Sequence, residues 1–337
     1  MEKKLRVVQV GTGHPHGNGQ TETILQSPAF ELVGYAEPTP DYCHPEHSHF
    51  LDPAYPYHKL QRYTVEELLN MDDIDGVVIE TQEMIGTEYA QLFAEKGTPI
   101  FFDKPGTPGT KSFEKFIDTC RKNHVILKMG YMYRCNPLVQ RALALVKDGA
   151  LGEIYAVEGQ MSLQYAEPMT RWIGQFRGGM MYYLGCHMVD LVLQFMGGLP
   201  EKVTAMNACT GQHGLVGENY GFATLQYKNG TSFVKTTCAE VNGFSRRQLV
   251  ICGERGTIEI RPMEAFAQGP YCAQTAHALY SHDGKTDVWD AEPFPRYGGM
   301  FDEFATLLRT KEFDPATYDY ELDLFRTLMQ CCGVEEN

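Results

Sequence analysis

The sequence predicts a doubly wound α/β domain followed by an α+β domain built on an antiparallel sheet covered by helices. The chain has 337 residues, more than one hydrophobic core comfortably supports. Its first third alternates short apolar runs with helical patterns, which is typical of a parallel sheet. After Gly130 the pattern changes to amphipathic helices and paired strands. We therefore divide the chain into residues 1–130 and residues 131–337, and we expect the last helix to pack back on the first domain.

The first domain carries a strand signal before each turn or helix. The predicted strands, in order, are LRVVQV, FELVGYA, DGVVIET, TPIFFDKP and VILKMG. Thr64 begins a helix, and Glu67 completes its capping box. Gly97 ends the helix EYAQLFAEKG, and SFEKFIDTCRKN predicts another helix before the fifth strand.

The second domain mixes helices with hairpins. NPLVQRALALVKDGALG predicts an amphipathic helix, EIYAVEGQ a strand, and residues 180–196 one further helix. Asn229 and Gly230 predict the turn of one hairpin, and RQLVICGERGTIEIRP predicts a second. The segment ELDLFRTLMQCCG predicts an apolar closing helix.

Composition excludes several classes of protein. A formal net charge of −14 argues against a nucleic-acid partner and against electrostatic anchoring to a membrane. No apolar stretch approaches the roughly 18 residues of a membrane span, and the start of the chain lacks a secretory core. The 10 cysteines form no C-x-x-C pair, so we expect reduced thiols in the cytoplasm.

The first strand runs into VGTGHPHGNG, which suggests a dinucleotide-binding turn. Gly11 allows the tight turn, and Gly13 lets a pyrophosphate approach the backbone at a helix N-terminus. The third glycine of the usual pattern is replaced by His16. Glu37 ends the second strand, where an acid binds the ribose 2′-hydroxyl. Because a carboxylate repels a 2′-phosphate, and residues 38–40 offer no cation, the sequence favours NAD over NADP.

Three motifs occur in order along the chain. FFDKPG places Asp103, Lys104 and Pro105 after the fourth strand, GALGEI opens the sixth, and GGMMYYLGCHMVD spans residues 178–190. With the early VGTG, they resemble the glucose–fructose oxidoreductase / inositol dehydrogenase / MocA (Gfo/Idh/MocA) family over nearly the whole chain. The resemblance implies a Rossmann domain, an open, mainly antiparallel second sheet, and a homodimer or homotetramer formed through that sheet. It also implies hydride transfer between NAD(P) and a sugar, cyclitol or glycoside.

The same resemblance implies site residues. Lys104 would act as the acid/base group and His187 as a proton relay, since an amine or imidazole can exchange the proton of a substrate hydroxyl. Tyr183 stands where many members carry Asp, so the substrate pose would differ. Asp190 is expected to be structural. The expected cofactor contacts are Gly11, Thr12, Gly13, His14, Glu37, Thr81, Asp103 and Lys104. The expected substrate contacts are Arg134, Gln160, Arg171, Trp172, Tyr183 and His187.

One segment resembles a metal site without matching a known spacing. DYCHPEHSHFLDPAYPYH contains several soft ligands between prolines. We interpret it as an irregular loop bordering the adenine or substrate pocket, and we predict no metal site. The ligands considered are Cys43, His44, His47, His49 and His58, with His14 and His16 nearby.

Two other functions stay open. Some relatives oxidise a sugar hydroxyl transiently, eliminate the glycosidic substituent and reduce the product again. Tyr182 or Tyr183 would supply the base for such a glycosidase or lyase reaction. A non-enzymatic NAD-sensing regulator is the third hypothesis, and the presence of Lys104 and His187 argues against it.

Overall fold

The computed structural model describes residues 3–107, 109–266 and 273–334. The chain folds into two compact units. The first comprises Met1–Tyr131 with Tyr297–Leu322, and the second comprises Met132–Arg296 with Asp323–Asn337. The change of unit after Tyr131 lies one residue from the predicted boundary. The segment that rejoins the first unit begins at Tyr297, well before the last helix.

The first unit is built on a parallel five-stranded sheet with the order β2-β1-β3-β4-β5. The chain leaves β1 toward β2 on one side and later adds β3 on the other, so β1 and β3 flank the topological switch point. The strands are β1 (Leu5–Val10), β2 (Phe30–Ala36), β3 (Gly76–Ile79), β4 (Ile100–Phe102) and β5 (Leu127–Met129). The helices are α1 (Gly17–Gln26), α2 (Val65–Leu69), α3 (Gly86–Glu95) and α4 (Thr110–Lys122).

Local sequence explains these elements. The side chains of β3 and β4 are buried throughout, as expected for central parallel strands covered on both faces. The Thr64 hydroxyl accepts the Glu67 amide, while the Glu67 carboxylate accepts the Thr64 amide, so the predicted capping box is present. Gly97 has φ +76° at the end of α3, a conformation that glycine adopts at little cost.

The second unit is built on an eight-stranded sheet with the order β15-β14-β11-β10-β6-β9-β8-β7. β6 and β9 pair in parallel, and the other neighbours pair antiparallel. Its larger strands are β6 (Ile154–Gln160), β7 (Lys202–Ala205), β8 (Tyr220–Tyr227), β9 (Gly230–Thr237), β10 (Gln248–Gly253), β11 (Gly256–Ile260), β14 (His277–His282) and β15 (Lys285–Asp290). A separate two-stranded ladder joins β12 (Ala265–Phe266) to β13 (Gln274–Thr275).

Helices complete the chain. They are α5 (Pro137–Lys147), α6 (Glu167–Ile173), α7 (Cys186–Met196), α8 (Gly298–Thr310) and α9 (Ala316–Cys331), with single 3₁₀ turns at Pro56–Lys59, Met132–Cys135, Gln212–Gly214 and Phe244–Arg246. In the part of the chain that the structure describes, no helix combines the length and apolar character needed to cross a bilayer. The predicted fold class, parallel α/β followed by a mainly antiparallel sheet with helices, is confirmed.

The predicted helix over residues 180–196 is present, but its first turn is not α-helical. Met181–Gly185 is π-helical, and the α-helix begins only at Cys186. The preceding Gly179 has φ +46°, and a Cβ there would lie 1.7 Å from the carbonyl oxygen of Glu218. The chain therefore enters the helix through a glycine turn that packs against Glu218. The first turn of the helix is the wider π-helical turn.

Aromatic packing holds α8 on the first sheet. The Phe301 ring stacks on Phe101 of β4 at 4.6 Å between centroids, and it meets Phe30 of β2 edge-on at 6.1 Å. Phe304 lies next to Gly76, where a Cβ would be 3.1 Å from its ring. These contacts make the returning helix part of the first unit's core.

We expect Phe301→Ala to lower the free energy of unfolding by about 3–5 kcal/mol, because it leaves a cavity between α8 and the sheet. Urea titration followed by circular dichroism measures this change. Asp302→Ala, at an exposed position of the same helix, is the matched control and should change stability little. Equal effects of the two variants would contradict the packing role of Phe301.

Candidate functional site

The glycine turn after β1 lies against the segment that follows β3. Gly11 has φ +87°, and its amide donates to the carbonyl of Ala36 at 2.7 Å. A Cβ at position 11 would lie 2.4 Å from the amide nitrogen of Thr81. Glycine is therefore required here both for its backbone conformation and for close approach to the neighbouring strand end.

The loop after β2 covers this turn. A Cβ on Gly13 would lie 2.9 Å from a ring carbon of Tyr42. His47 contacts the carbonyl oxygen of Pro15 through Nε2 at 3.1 Å. The histidine-rich loop thus borders the predicted cofactor turn, and Tyr42 occupies space directly above it. His49 and His58 face backbone carbonyls of the loop itself.

Glu37 ties the turn to the same loop. One carboxylate oxygen accepts the Thr12 amide at 2.7 Å and the Thr12 hydroxyl at 2.6 Å. The other accepts the Thr39 amide at 2.7 Å and the Thr39 hydroxyl at 2.9 Å. A carboxylate has about four lone-pair positions, so the chain itself fills the acceptor capacity of Glu37. The recognition of a ribose by Glu37 stays a prediction.

A cavity of about 490 Å³ lies at the carboxyl end of β2. Glu37 and Arg62 both line this cavity, because an isolated β-bridge between Tyr35 and Arg62 places Arg62 at the edge of the sheet. In the sequence, residues 38–40 were considered as possible cations beside Glu37. Arg62, which is distant from Glu37 in the sequence, was not identified. The cavity is lined by Ala36, Glu37, Pro38, Arg62, Tyr63, Thr64, Val65 and Glu67.

The general framework of this site suits the binding of a dinucleotide. The strand order supplies a switch point, Gly11 supplies the turn, and the ten-residue α1 begins directly after it. The cavity beside Glu37 and Arg62 offers room for the adenosine end. The Tyr42 ring occupies the space beside Gly13 that a pyrophosphate would use there.

Lys104 is deeply buried after β4, with 1% of its surface exposed. Its amide donates to the Asp103 carboxylate at 2.7 Å, and its carbonyl accepts the Nε2–H of His14 at 3.0 Å. The peptide bond to Pro105 is cis. An ordinary surface lysine is therefore excluded.

A cluster of buried polar side chains surrounds Lys104 at the carboxyl edge of the sheet. His14 and His16 each place Nδ1 near one oxygen of Asp103, at 2.9 Å and 3.0 Å. Glu80 and Glu83 lie 3.7 Å and 3.6 Å from the His14 ring nitrogens. The sequence reasoning named His14 and Asp103 as cofactor contacts but missed both glutamates. The sequence signal that could have identified them is a pair of acidic residues that follow a buried strand.

Burial dominates the electrostatics of this cluster. It raises the pKa of Glu80 well above the ordinary value, with further contributions from Asp103 and Glu83. It also raises the pKa of Glu83. Burial lowers the pKa of His16 to about 3 despite the opposing effect of Asp103. The cluster therefore favours a neutral His16 ring and discourages negative charge on the glutamates.

In the second unit, Tyr183 and His187 are both buried, with 4% and 1% exposed. The ring of Tyr133 meets His187 edge-on at 5.0 Å, and the ring of Trp172 meets Tyr183 edge-on at 5.3 Å. Tyr183 belongs to the π-helical turn and His187 to the α-helix α7 that follows it.

The remaining predicted substrate contacts bond to the second unit itself. Arg134 holds Asp190 through two guanidinium nitrogens at 2.9–3.1 Å. Gln160 donates to Glu240 at 3.3 Å. Arg171 is about half exposed, 54% for the side chain, and bonds Glu167 of its own helix at 2.8 Å. Of the predicted set, the structure brings Trp172 into contact with Tyr183.

A buried ionic network, which sequence reasoning missed, lies behind His187. The Tyr133 hydroxyl donates to Glu264, and Arg247 bonds both of them. Arg296 approaches Glu264 at 3.6 Å. Because Tyr133 also packs on His187, the network positions the ring against which the imidazole rests.

Two family models match the chain. The model of the GFO/IDH/MocA oxidoreductase family, NAD-binding Rossmann fold, matches residues 5–131. The model of the GFO/IDH/MocA C-terminal domain matches residues 139–259.

Individual proteins are similar to the chain at lower identity. The 2,7-anhydro-N-acetylneuraminate hydratase of Mediterraneibacter gnavus is 25% identical over 58% of this chain and 54% of its own. The D-xylose 1-dehydrogenase (NADP(+)) 2 of Haloferax volcanii is 26% identical over 78% of each. The chain spans about half the length of the curated relatives it matches first. The solved aldose-aldose oxidoreductase of Caulobacter crescentus has a TM-score of 0.78 at 17% identity, covering 98% of both chains, and thus the same fold.

We expect Glu264→Gln to lower the free energy of unfolding of the second unit by about 3–5 kcal/mol near neutral pH, because Arg247 and Arg296 lose their buried carboxylate. Burial raises the pKa of Glu264, but Arg296 and Arg247 together hold it below its ordinary value. A lowered folded-state pKa stabilises above the unfolded-state pKa, and that stability is lost as the pH falls.

The difference between wild type and Glu264→Gln should therefore narrow in acid. Urea titrations at several pH values, followed by tryptophan fluorescence, measure it, since Trp172 and Trp289 both lie in the second unit. Glu201→Gln, at an exposed position of this unit, is the control. A difference that stays constant or widens in acid would contradict the ion-pair account.

Proposed function

The chain belongs to the GFO/IDH/MocA family of oxidoreductases, and we propose that it transfers a hydride between a nicotinamide dinucleotide and a secondary hydroxyl of a sugar, cyclitol or glycoside. The observation that carries the proposal is Lys104, a buried lysine after β4 in the unit that matches the NAD-binding model. The Haloferax volcanii relative, named as a xylose dehydrogenase, supports the substrate class.

The proposed cofactor is NAD. When bound, its nicotinamide accepts or supplies the hydride. The turn Gly11, Thr12 and Gly13 with the start of α1 would hold the pyrophosphate, and Thr81 lies against that turn. Glu37 supports NAD because its carboxylate lines the cavity at the end of β2 and would repel a 2′-phosphate. Arg62 in the same cavity is the group that would let NADP compete.

Each unit contributes one proposed proton-transfer group. Lys104 acts as acid/base toward the substrate hydroxyl, and its burial excludes water from the amine. His187 relays the proton, and the Tyr133 ring fixes the orientation of its imidazole. Tyr183 with Trp172 offers an aromatic face and a phenol to a sugar ring. Arg134, Gln160 and Arg171 stay candidates for substrate contact. Each would have to bind the substrate in addition to its present protein partner.

A redox-neutral reaction is the second candidate. The Mediterraneibacter gnavus relative is named as a hydratase, a name that describes the addition of water. In such a reaction Tyr182 or Tyr183, both buried in the π-helical turn, would serve as base. Release of product with no net reduced cofactor would identify it.

We also propose a cytoplasmic homo-oligomer formed through the eight-stranded sheet. The cysteines that the structure describes are free thiols, which suits a reducing compartment. Tyr155 on β6 and Val288 on β15 expose 44% and 60% of their surfaces, and exposed apolar groups on a sheet favour burial by a partner.

We expect Tyr42→Ala to bind NAD more tightly than the wild type, because the ring above Gly13 no longer has to be displaced. Isothermal titration calorimetry measures the dissociation constant. Tyr55→Ala, in the same loop, is the comparison variant. Weaker binding by Tyr42→Ala would show that the ring contacts the cofactor rather than blocking it.

Lys104→Met should lower kcat by about 10²–10⁴-fold, because the acid/base group is removed while side-chain length is kept. The assay follows reduced-cofactor absorbance and product release together over a panel of sugars, cyclitols and glycosides. Lys111→Met, at an exposed position of α4, is the control and should keep full activity. Full activity of Lys104→Met would refute the assigned role.

A further inference from the structure

We propose that His14, His16 and Asp103 bind a divalent transition-metal ion of the Zn²⁺ type, with Glu80 as the fourth ligand. The ligand atoms of the two histidines and Asp103 all lie within 4.8 Å of one another. The Glu80 carboxylate adds an oxygen 3.7 Å from Nδ1 of His14. Two imidazoles and carboxylate oxygens are a common ligand set for Zn²⁺.

The tautomer of His14 points to a cation. Its Nε2 faces the carbonyl oxygen of Lys104, which can only accept, so Nε2 carries the proton. Its Nδ1 accepts the amide of His16 at 3.1 Å and is therefore the lone-pair nitrogen, which a metal ion would take in place of that amide. The same Nδ1 lies 2.9 Å from a carboxylate oxygen of Asp103. Two lone-pair donors at this distance repel each other unless a proton or a metal cation lies between them.

The surroundings have the form of an outer ligand shell. The hydrogen bond from His14 Nε2 to a backbone carbonyl is the arrangement that orients most metal-binding histidines. Gln20 donates to the Asp103 oxygen at 2.6 Å, and the Lys104 amide donates to the other oxygen at 2.7 Å. These bonds fix the carboxylate in the orientation in which it meets both imidazoles.

The buried glutamates are compatible with such an ion. Glu80 and Glu83 are 0% and 2% exposed, and their carboxyl oxygens have no hydrogen-bond partner among the described residues. Uncompensated carboxylates in a protein interior are costly, so these groups favour their neutral forms unless a cation lies beside them. A divalent cation next to Glu80 would stabilise its ionised form.

The ion would join three parts of the first unit. His14 and His16 come from the glycine turn, Glu80 from the end of β3 and Asp103 from the end of β4. A site of four protein ligands is closed and therefore structural. It would fix the turn relative to the strand end that carries Lys104.

The test uses the full chain stripped with a chelator and titrated with Zn²⁺ or Co²⁺, without cofactor or substrate. We expect one equivalent to bind, a visible Co²⁺ band typical of tetrahedral coordination, and a higher Tm with Zn²⁺. His16→Gln and Asp103→Asn should each weaken binding by at least about tenfold. His49→Gln, which alters an exposed histidine of the neighbouring loop, should bind as the wild type does.

Circular dichroism checks the folding of each variant, and the wild-type stoichiometry and Co²⁺ spectrum decide the matter if both ligand variants unfold. No binding by the wild type, binding that survives both ligand variants, or loss of binding in His49→Gln would each overturn the proposal. Because none of these readings depends on hydride transfer, they separate the metal site from the proposed enzymatic function.

Discussion

The buried carboxylate of Asp103 organises the first unit around its reactive edge. It receives hydrogen bonds from Gln20 of α1 and from the amide of Lys104, and it lies against both His14 and His16. Gly130 has no side chain because a Cβ there would lie 2.7 Å from this carboxylate. A charged group with 3% exposure is tolerable only when it is fully paired. The need to pair Asp103 therefore brings the turn, the helix and the ends of two strands into one place.

The need to pair buried charges also shows how a particular function can be built on a common fold. A doubly wound sheet offers its carboxyl edge to a ligand, and the side chains at that edge decide the chemistry. Here the edge presents a buried lysine, and the turn beside it is tied down by Glu37 and covered by Tyr42. In the second unit, a different buried network, from Glu264 through Tyr133, supports the imidazole of His187. Both proposed proton-transfer groups thus rest on interactions with charged side chains of their own unit.

The sequence revealed features whose causes are local. Apolar runs marked the strands, the Thr64 capping box marked α2, and Asn229–Gly230 marked the hairpin between β8 and β9, because neighbouring residues decide each of them. The partners of Glu37, the approach of Arg62 and the burial of Glu80 depend on residues brought together by folding. The π-helical turn around Tyr183 was missed because an apolar helical pattern does not distinguish a π-turn from an α-turn.

A crystal structure of the protein with NAD bound would test the central claim most directly. The account predicts the pyrophosphate at the Gly11–Gly13 turn, the Tyr42 ring displaced from Gly13, and the nicotinamide at the ends of β3 and β4 within contact of the Lys104 amine. A dinucleotide bound elsewhere, or a nicotinamide out of reach of that amine, would contradict it.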